Sequence, residues 1–165
     1  MSDGSGPGRP VPPYGSHAAE LFDDTIEPYA LGLTREAGKS PSGDALLRER
    51  TQVGDATLQV RVVTVTLRHE NAQQTWQVGF HTVETFAAAH PPPTDFTLQV
   101  DPTDPAAGLL RAFEARLIGM TFVAFVRQFA ARDANDGPRW HFHLARADKG
   151  EIDAVRAASA LGNVR

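Results

Sequence analysis

The chain has 165 residues, a formal net charge of −4 and no cysteine. Its length suits one domain, since a chain of this size buries roughly 70% of its unfolded surface. The missing cysteines exclude disulfides, thiolate metal sites, iron–sulfur clusters and a cysteine nucleophile. The acidic balance, without a basic stripe, predicts no binding to nucleic acid.

The longest apolar run, residues 122–126, is far shorter than a membrane-spanning helix requires. The N-terminus lacks a charged region followed by an apolar segment, which is the pattern of a signal peptide. These observations predict a cytoplasmic protein that makes no membrane contact.

Residues 1–15 are rich in glycine, proline and serine. This segment has too few apolar side chains to bury itself, which predicts a disordered tail. The rest of the chain, residues 16–165, is then expected to form a single α+β domain.

A helix is expected to begin at Ser16, because apolar residues follow it at helical spacing as far as Ile26. On that helix the side chains of Asp23 and Asp24 diverge, which indicates solvated surface. Residues 32–44 are loop-like, and a short turn of helix is expected over 44–50.

Two segments rich in valine and threonine, residues 58–69 and 74–83, predict a β-hairpin with its turn at 70–73. This turn places apolar residues of both strands on one face, which supports the pairing. The expected apolar pairs are Leu67 with Trp76, Val65 with Val78, and Val63 with Phe80. The expected pairs on the other face are Thr66 with Gln77, Thr64 with Gly79, and Val62 with His81.

A short helix is expected over residues 84–90, which prolines at 91–93 would end, and residues 95–100 alternate as a third strand. Asp104 and Pro105 are typical of a helix start.

Apolar residues at helical spacing continue over 109–129 with Gly119 between them, which predicts a long core helix that is kinked, or two helices. A second interpretation makes residues 120–126 a buried strand, and periodicity alone does not separate the two.

The most informative segment is residues 139–146, Arg-Trp-His-Phe-His-Leu-Ala-Arg. Its alternation predicts a strand with Trp140, Phe142 and Leu144 facing the core, and His141 and His143 on the opposite face. After this strand, Asp148 and Glu151 can open a helix that ends at Gly162.

The predicted fold is α+β: a single antiparallel sheet of about four strands, with a long core helix and N- and C-terminal helices packed on one face. Its other face is then a polar, mostly uncharged surface. We expect that surface to contain Thr64, Thr66, Gln77, His81, Thr97, Gln99, His141 and His143.

The leading functional hypothesis is a non-enzymatic binding or accessory protein. It would engage a protein partner, or a second copy of itself, through the open sheet face or a helix face, without a cofactor. No catalytic residue is assigned, because no serine lies in a nucleophile elbow. Gly38-Lys39-Ser40 lacks the earlier glycine of a phosphate-binding loop.

Two alternatives remain open from the residues. The imidazoles of His81, His141 and His143 could together hold zinc, which would give a metal-binding protein or a metal-dependent enzyme. The second alternative is a small-ligand-binding α+β domain with its pocket between the sheet and the long helix.

Overall fold

The structure, a computed structural model, describes residues 11–27, 45–70, 73–130 and 137–162. The predicted loop over 32–44 and the first ten residues of the predicted tail lie outside these ranges. Residues 11–15 lie within them, and in this segment Pro13 forms an isolated bridge with Ala130.

The described helices and strands alternate irregularly along the chain. In order they are α1 (Ser16–Leu21), β1 (Thr25–Ile26), α2 (Ala45–Val53), β2 (Ala56–Glu70), β3 (Gln73–Ala88), β4 (Asp95–Val100), α3 (Pro105–Leu117), β5 (Thr121–Phe129), β6 (Arg139–Arg146) and α4 (Lys149–Gly162). No helix among these described segments is long and apolar enough to cross a membrane.

The six strands form one mixed sheet in the order β1-β6-β5-β2-β3-β4. β1 runs parallel to β6, and the other neighbours are antiparallel. The predicted sheet of about four antiparallel strands is therefore wrong in strand number and in direction. The two additional strands are β1, which was expected to be helical, and β5, which realises the second interpretation of residues 120–126 as a buried strand.

β5 replaces the second half of the predicted long helix. Residues Phe122 to Val126 are all buried, because β5 lies inside the sheet with a core cluster on each of its faces. Such a strand has no polar face, so its sequence lacks the alternation of apolar and polar residues that identifies other strands. Its apolar run therefore resembles a buried helix. α3 ends at Leu117, and Gly119 has a φ of 91° where the chain turns into β5.

Helices cover both faces of the sheet, so the prediction of helices on one face is also wrong. α3 packs into one core cluster through Ala106, Leu110 and Leu117. α1, α2 and α4 contribute to the second cluster, which contains the alternate side chains of β5. The protein therefore has three layers around β5.

The β2–β3 hairpin confirms most of the predicted pairing. Leu67 lies opposite Trp76 and Val65 opposite Val78, but Phe80 pairs with Val62 rather than with Val63. A register shift between residues 62 and 64 leaves the Val63 side chain 41% exposed. One extra residue in one strand is the signature of a β-bulge, which hydrophobic alternation does not predict.

Two predicted helical segments are instead extended. β3 continues to Ala88 where a helix over 84–90 was expected, and the Phe86 carbonyl accepts a hydrogen bond from Ser159 Oγ of α4 at 2.7 Å. α1 ends at Leu21, because Asp24 adopts a φ of 55° and the chain then joins β6 as β1. In both places contacts with distant parts of the chain override local periodicity.

Candidate functional site

The candidate site lies where the N-terminal segment crosses the start of β6. The Asp24 N–H donates to the Phe142 carbonyl at 2.8 Å, and Asp24 Oδ1 accepts from the Phe142 N–H at 3.2 Å. This two-way bond holds Asp24 against β6, and the left-handed φ of Asp24 turns its carboxylate toward His141. Asparagine and aspartate tolerate this conformation better than most residues do.

His141 is held on several sides. Its Nδ1 lies 2.7 Å from Asp24 Oδ2, and the two side chains are 11% and 6% exposed. The Tyr14 ring stacks on the imidazole with a centroid distance of 3.7 Å and an interplanar angle of 6°, and Phe129 meets it edge-on. Tyr14 is itself held by its hydroxyl, which donates to the Phe22 carbonyl at 2.5 Å.

His143 uses both of its ring nitrogens. Nδ1 lies 2.9 Å from Asp23 Oδ1, and Nε2 lies 2.5 Å from Glu27 Oε2. Burial lowers the pKa of His143, as does the charge of Arg50 to a smaller extent. The hydrogen bonds to Asp23 and Glu27 outweigh both and leave this pKa raised. The bonds from both ring nitrogens connect the segment around β1 to β6.

Arg139, the first residue of β6, links this strand to the end of β4 and the start of α3. Its Nη1 donates to Asp101 Oδ2 at 2.6 Å, and its Nη2 donates to Asp104 Oδ2 and to the Gln99 carbonyl, both at 3.3 Å. Arg139 Nε is buried without a hydrogen-bond partner among the described residues. Burial lowers the pKa of Arg139, but its bond to Asp101 and the nearby carboxylates raise it overall.

Asp104 is placed at the N-cap of α3, as predicted, but its side chain does not cap that helix. Oδ2 instead accepts from the Asp101 N–H at 2.8 Å. Burial raises the pKa of Asp104, and the charges of Asp24 and Asp101 add to the increase. Asp101, by contrast, has a lowered pKa, because its bonds to Arg139 and Gln99 outweigh the opposing effect of its burial.

These residues line one open groove between β4, β6, the start of α3 and the N-terminal segment. We use the name "the groove" for the surface formed by Tyr14, Asp24, Asp101, Asp104, Arg139, Trp140 and His141, with Thr97, Gln99 and Thr103 at its side. The groove combines three carboxylates, one guanidinium and two aromatic rings, so it can receive a polar ligand that has an apolar part.

The structure divides the eight residues predicted for the polar sheet face. Six of them lie on β2, β3 and β4, where Thr64, Thr66, Thr97 and Gln99 are exposed and Gln77 and His81 are half-buried. Several are direct neighbours, such as Gln77 opposite both Thr66 and Gln99. We call these six residues the open face.

His141 and His143 lie on β6, which β5 separates from β2, although His141 shares the groove with Thr97 and Gln99 of the open face. The N-terminal segment covers both. They do face away from Phe142 and Leu144, as the alternation predicts.

The structure does not bring the three predicted zinc ligands together. β5 and β2 separate His81 on β3 from β6, and His81 Nδ1 lies 2.8 Å from Asp95. In the ranges that the structure describes, no group of three or more candidate ligands is arranged to hold a metal ion. The zinc hypothesis stays a prediction without geometric support.

The sequence interpretation missed the acidic partners of both histidines. Asp23 and Asp24 were assigned to an exposed helix surface, yet Asp23 is half-buried and Asp24 is 4% exposed. One available signal was the segment Asp23-Asp24-Thr25-Ile26-Glu27. If this segment is extended, the acids at 23 and 27 lie on the same face and can both contact one histidine of a neighbouring strand. Nothing in the sequence indicated that this segment pairs with β6.

Comparison of the sequence with known protein-family models found no match, and comparison with curated proteins found no similar chain.

Proposed function

We propose that the protein binds a small organic cation, such as a primary amine or a guanidine, in the groove. The observation that carries this proposal is the carboxylate of Asp104. Its Oδ1 accepts no hydrogen bond from the described residues, while Oδ2 accepts from Asp101 and Arg139. Burial first, and then the charges of Asp24 and Asp101, raise the pKa of Asp104, and the nearby guanidinium of Arg139 does not offset them. A bound cation would supply the missing positive charge.

The aromatic side chains of the groove support the same class of ligand. Trp140 and Tyr14 line the groove beside the carboxylates. An indole face attracts a cation through its quadrupole and also offers apolar contact to the organic part of the ligand. Among the described residues that line the groove, three carboxylates against one guanidinium disfavour an anionic ligand by like-charge repulsion.

The site that we propose differs from the pocket expected between the sheet and the long helix. Core side chains fill that space and leave a cavity of about 10 Å³. This volume is near the minimum for a single water molecule. The small-ligand hypothesis therefore moves to the groove at the edge of the sheet.

The test is a binding series by thermal shift and calorimetry. Butylamine, agmatine and choline would be compared with the neutral butanol and the anionic butyrate. We expect at least one cation to stabilise the protein by mass action, with butanol and butyrate giving no shift. Asp104→Asn should weaken that binding by about tenfold or more, since it removes the charge and keeps the shape.

The matched control is Asp153→Asn, which removes an exposed carboxylate of α4 that bonds to Lys149 at 2.7 Å. This variant should bind the cation as the wild type does. If every cation binds no better than butanol, or if Asp104→Asn binds as well as wild type, the proposal is wrong.

The protein-partner hypothesis remains a second proposal, supported by the open face. The Val62 N–H and carbonyl still bond to Met120 and Gly119, but beyond Val62 this edge of β2 has no partner among the described strands. Exposed edges invite pairing with another chain. For a second copy as partner, sedimentation should show a dimer that Thr66→Arg converts to a monomer. A monomer at all concentrations would remove the homodimer version.

A further inference from the structure

One imidazole in the groove has a nitrogen that the described structure leaves unused. Nδ1 of His141 lies 2.7 Å from Asp24 Oδ2, whereas Nε2 has no hydrogen-bond partner among the described residues. The ring also lines the groove. We infer that His141 and Asp24 form a proton-transfer dyad, in which His141 Nε2 takes a proton from a hydroxyl group or a water molecule held in the groove.

The geometry around Asp24 fixes which nitrogen is available. Asp24 is 4% exposed, and both of its carboxylate oxygens are occupied, one by the Phe142 N–H and one by His141. A carboxylate only accepts hydrogen bonds, so the neutral imidazole carries its proton on Nδ1. The lone pair of Nε2 is then free to accept a proton, which is the arrangement of a general base oriented by a carboxylate.

The rings that enclose His141 keep this orientation. Tyr14 covers one face of the imidazole, and Phe129 packs edge-on at a centroid distance of 5.6 Å. The ring therefore cannot turn about its side-chain bonds without breaking the stack and the bond to Asp24. A base held in place before its substrate arrives does not have to be ordered during the reaction.

This inference goes beyond ligand binding and does not depend on the ligand being a cation. Among the described residues, the charged and titratable groups around His141 include Asp24, Tyr14, Arg127 opposite it on β5 and, further away, Asp101. Asp24 is a positioning residue, because it acts through the imidazole. Nε2 can remove a proton from a hydroxyl group or from a water molecule. In the simplest case the deprotonated water is the nucleophile.

Hydrolysis of p-nitrophenyl acetate is a suitable probe of such a base. As Nε2 accepts a proton from water, the water oxygen bonds to the acyl carbon and the bond from that carbon to the p-nitrophenolate oxygen breaks. The imidazolium then releases its proton to solvent, so the products are acetic acid and p-nitrophenol. No other reactant is required.

The chain offers a matched control in His17. Its Nε2 also bonds to a carboxylate, that of Glu49, at 2.6 Å, but its side chain is 65% exposed and does not line the groove. His17→Gln should leave the hydrolysis rate unchanged, whereas His141→Gln should remove the part of the rate that depends on the folded protein. Asp24→Asn should lower the rate by about tenfold or more. It should also let the proton of the neutral imidazole move from Nδ1 to Nε2 in nitrogen-15 NMR, since the amide can donate a hydrogen bond to Nδ1.

A second measurement on the wild-type protein is independent of activity and of any variant's folding. Nitrogen-15 NMR of the histidine side chains reports which ring nitrogen of each neutral imidazole carries the proton. We expect His141 to be protonated on Nδ1 with Nε2 free. If NMR instead finds the proton on Nε2, or if wild type and His141→Gln hydrolyse the ester equally fast, the inference is overturned.

Discussion

Two histidines on one strand show how a single additional contact separates two roles. His141 and His143 are two residues apart on β6, face the same side of the sheet, and bond through Nδ1 to the adjacent aspartates Asp24 and Asp23. They differ at Nε2, which bonds to Glu27 in His143 and has no partner among the described residues in His141. The first arrangement fastens two strands together, while the second leaves a basic nitrogen for a ligand.

The carboxylate partners of the two histidines also differ in how far they are buried. The side chains of Asp23 and Glu27 are 33% and 29% exposed, while that of Asp24 is 6% exposed. Solvent therefore reaches the acids that bond to His143, even though the imidazole itself is buried. Asp24 is orientated by backbone bonds and shielded from water, as a positioning carboxylate should be.

The largest change in stability is expected from the removal of His143. His143→Ala removes the ring that bonds to both Asp23 and Glu27. We expect the free energy of unfolding to fall by about 2–4 kcal/mol, toward the lower part of the range for broken buried pairs because both acids are partly hydrated. Urea unfolding measures this loss. His69→Ala, at an exposed position of β2, should change stability by less than about 0.5 kcal/mol. Equal stability of the two variants would show that His143 does not stabilise the packing of the segment around β1 on β6.

A smaller change in stability is expected when the pH is varied, and it should arise from the protonation of His143. The folded pKa of His143 is raised above the ordinary value of 6.5. Its protonation therefore stabilises the fold fully below about pH 6.5, and this stabilisation is lost as the pH rises through the folded pKa. The groups that act on it are Asp23 and Glu27, which favour the charge, and Arg50, which opposes it.

The measurement is the unfolding free energy of wild type minus that of His143→Gln, from pH 6.5 upward. This difference should decrease as the pH rises. A difference that is constant or increases with pH would contradict the assignment of a raised pKa.

The smallest expected effect concerns the ring that covers His141. Tyr14→Phe keeps the stack and removes the hydroxyl bond to the Phe22 carbonyl. It should lower the free energy of unfolding by about 1 kcal/mol and leave the Nδ1-protonated form of His141 unchanged by nitrogen-15 NMR. If the proton moves to Nε2 in this variant, the hydroxyl of Tyr14, rather than Asp24, controls the tautomer.

Part of the fold could be predicted because it depends on short-range periodicity. The strand β4, the facing of Phe142 and Leu144 against His141 and His143, and the outer half of the β2–β3 hairpin all follow from a period of two along segments that have one buried face. The bulge at Val63 does not follow, because one extra residue changes the register without changing the composition.

The candidate site could be predicted only in part. The two histidines stand out in the sequence because they interrupt an apolar strand. Their carboxylate partners lie more than a hundred residues away, since Asp24 and His141 are separated by 117 positions and Asp23 and His143 by 120. Local patterns give no information about contacts at such a separation.

By itself, the sequence determined which side chains alternate along each amphipathic strand and where α3 begins, because backbone geometry links neighbouring residues directly. Only the tertiary structure decided that β5 is a strand, that β1 pairs with β6, and that His141 and His143 have different partners at Nε2. Each of these depends on which distant segment covers a given face, and burial on both faces removes the polar positions from which a sequence reveals its period.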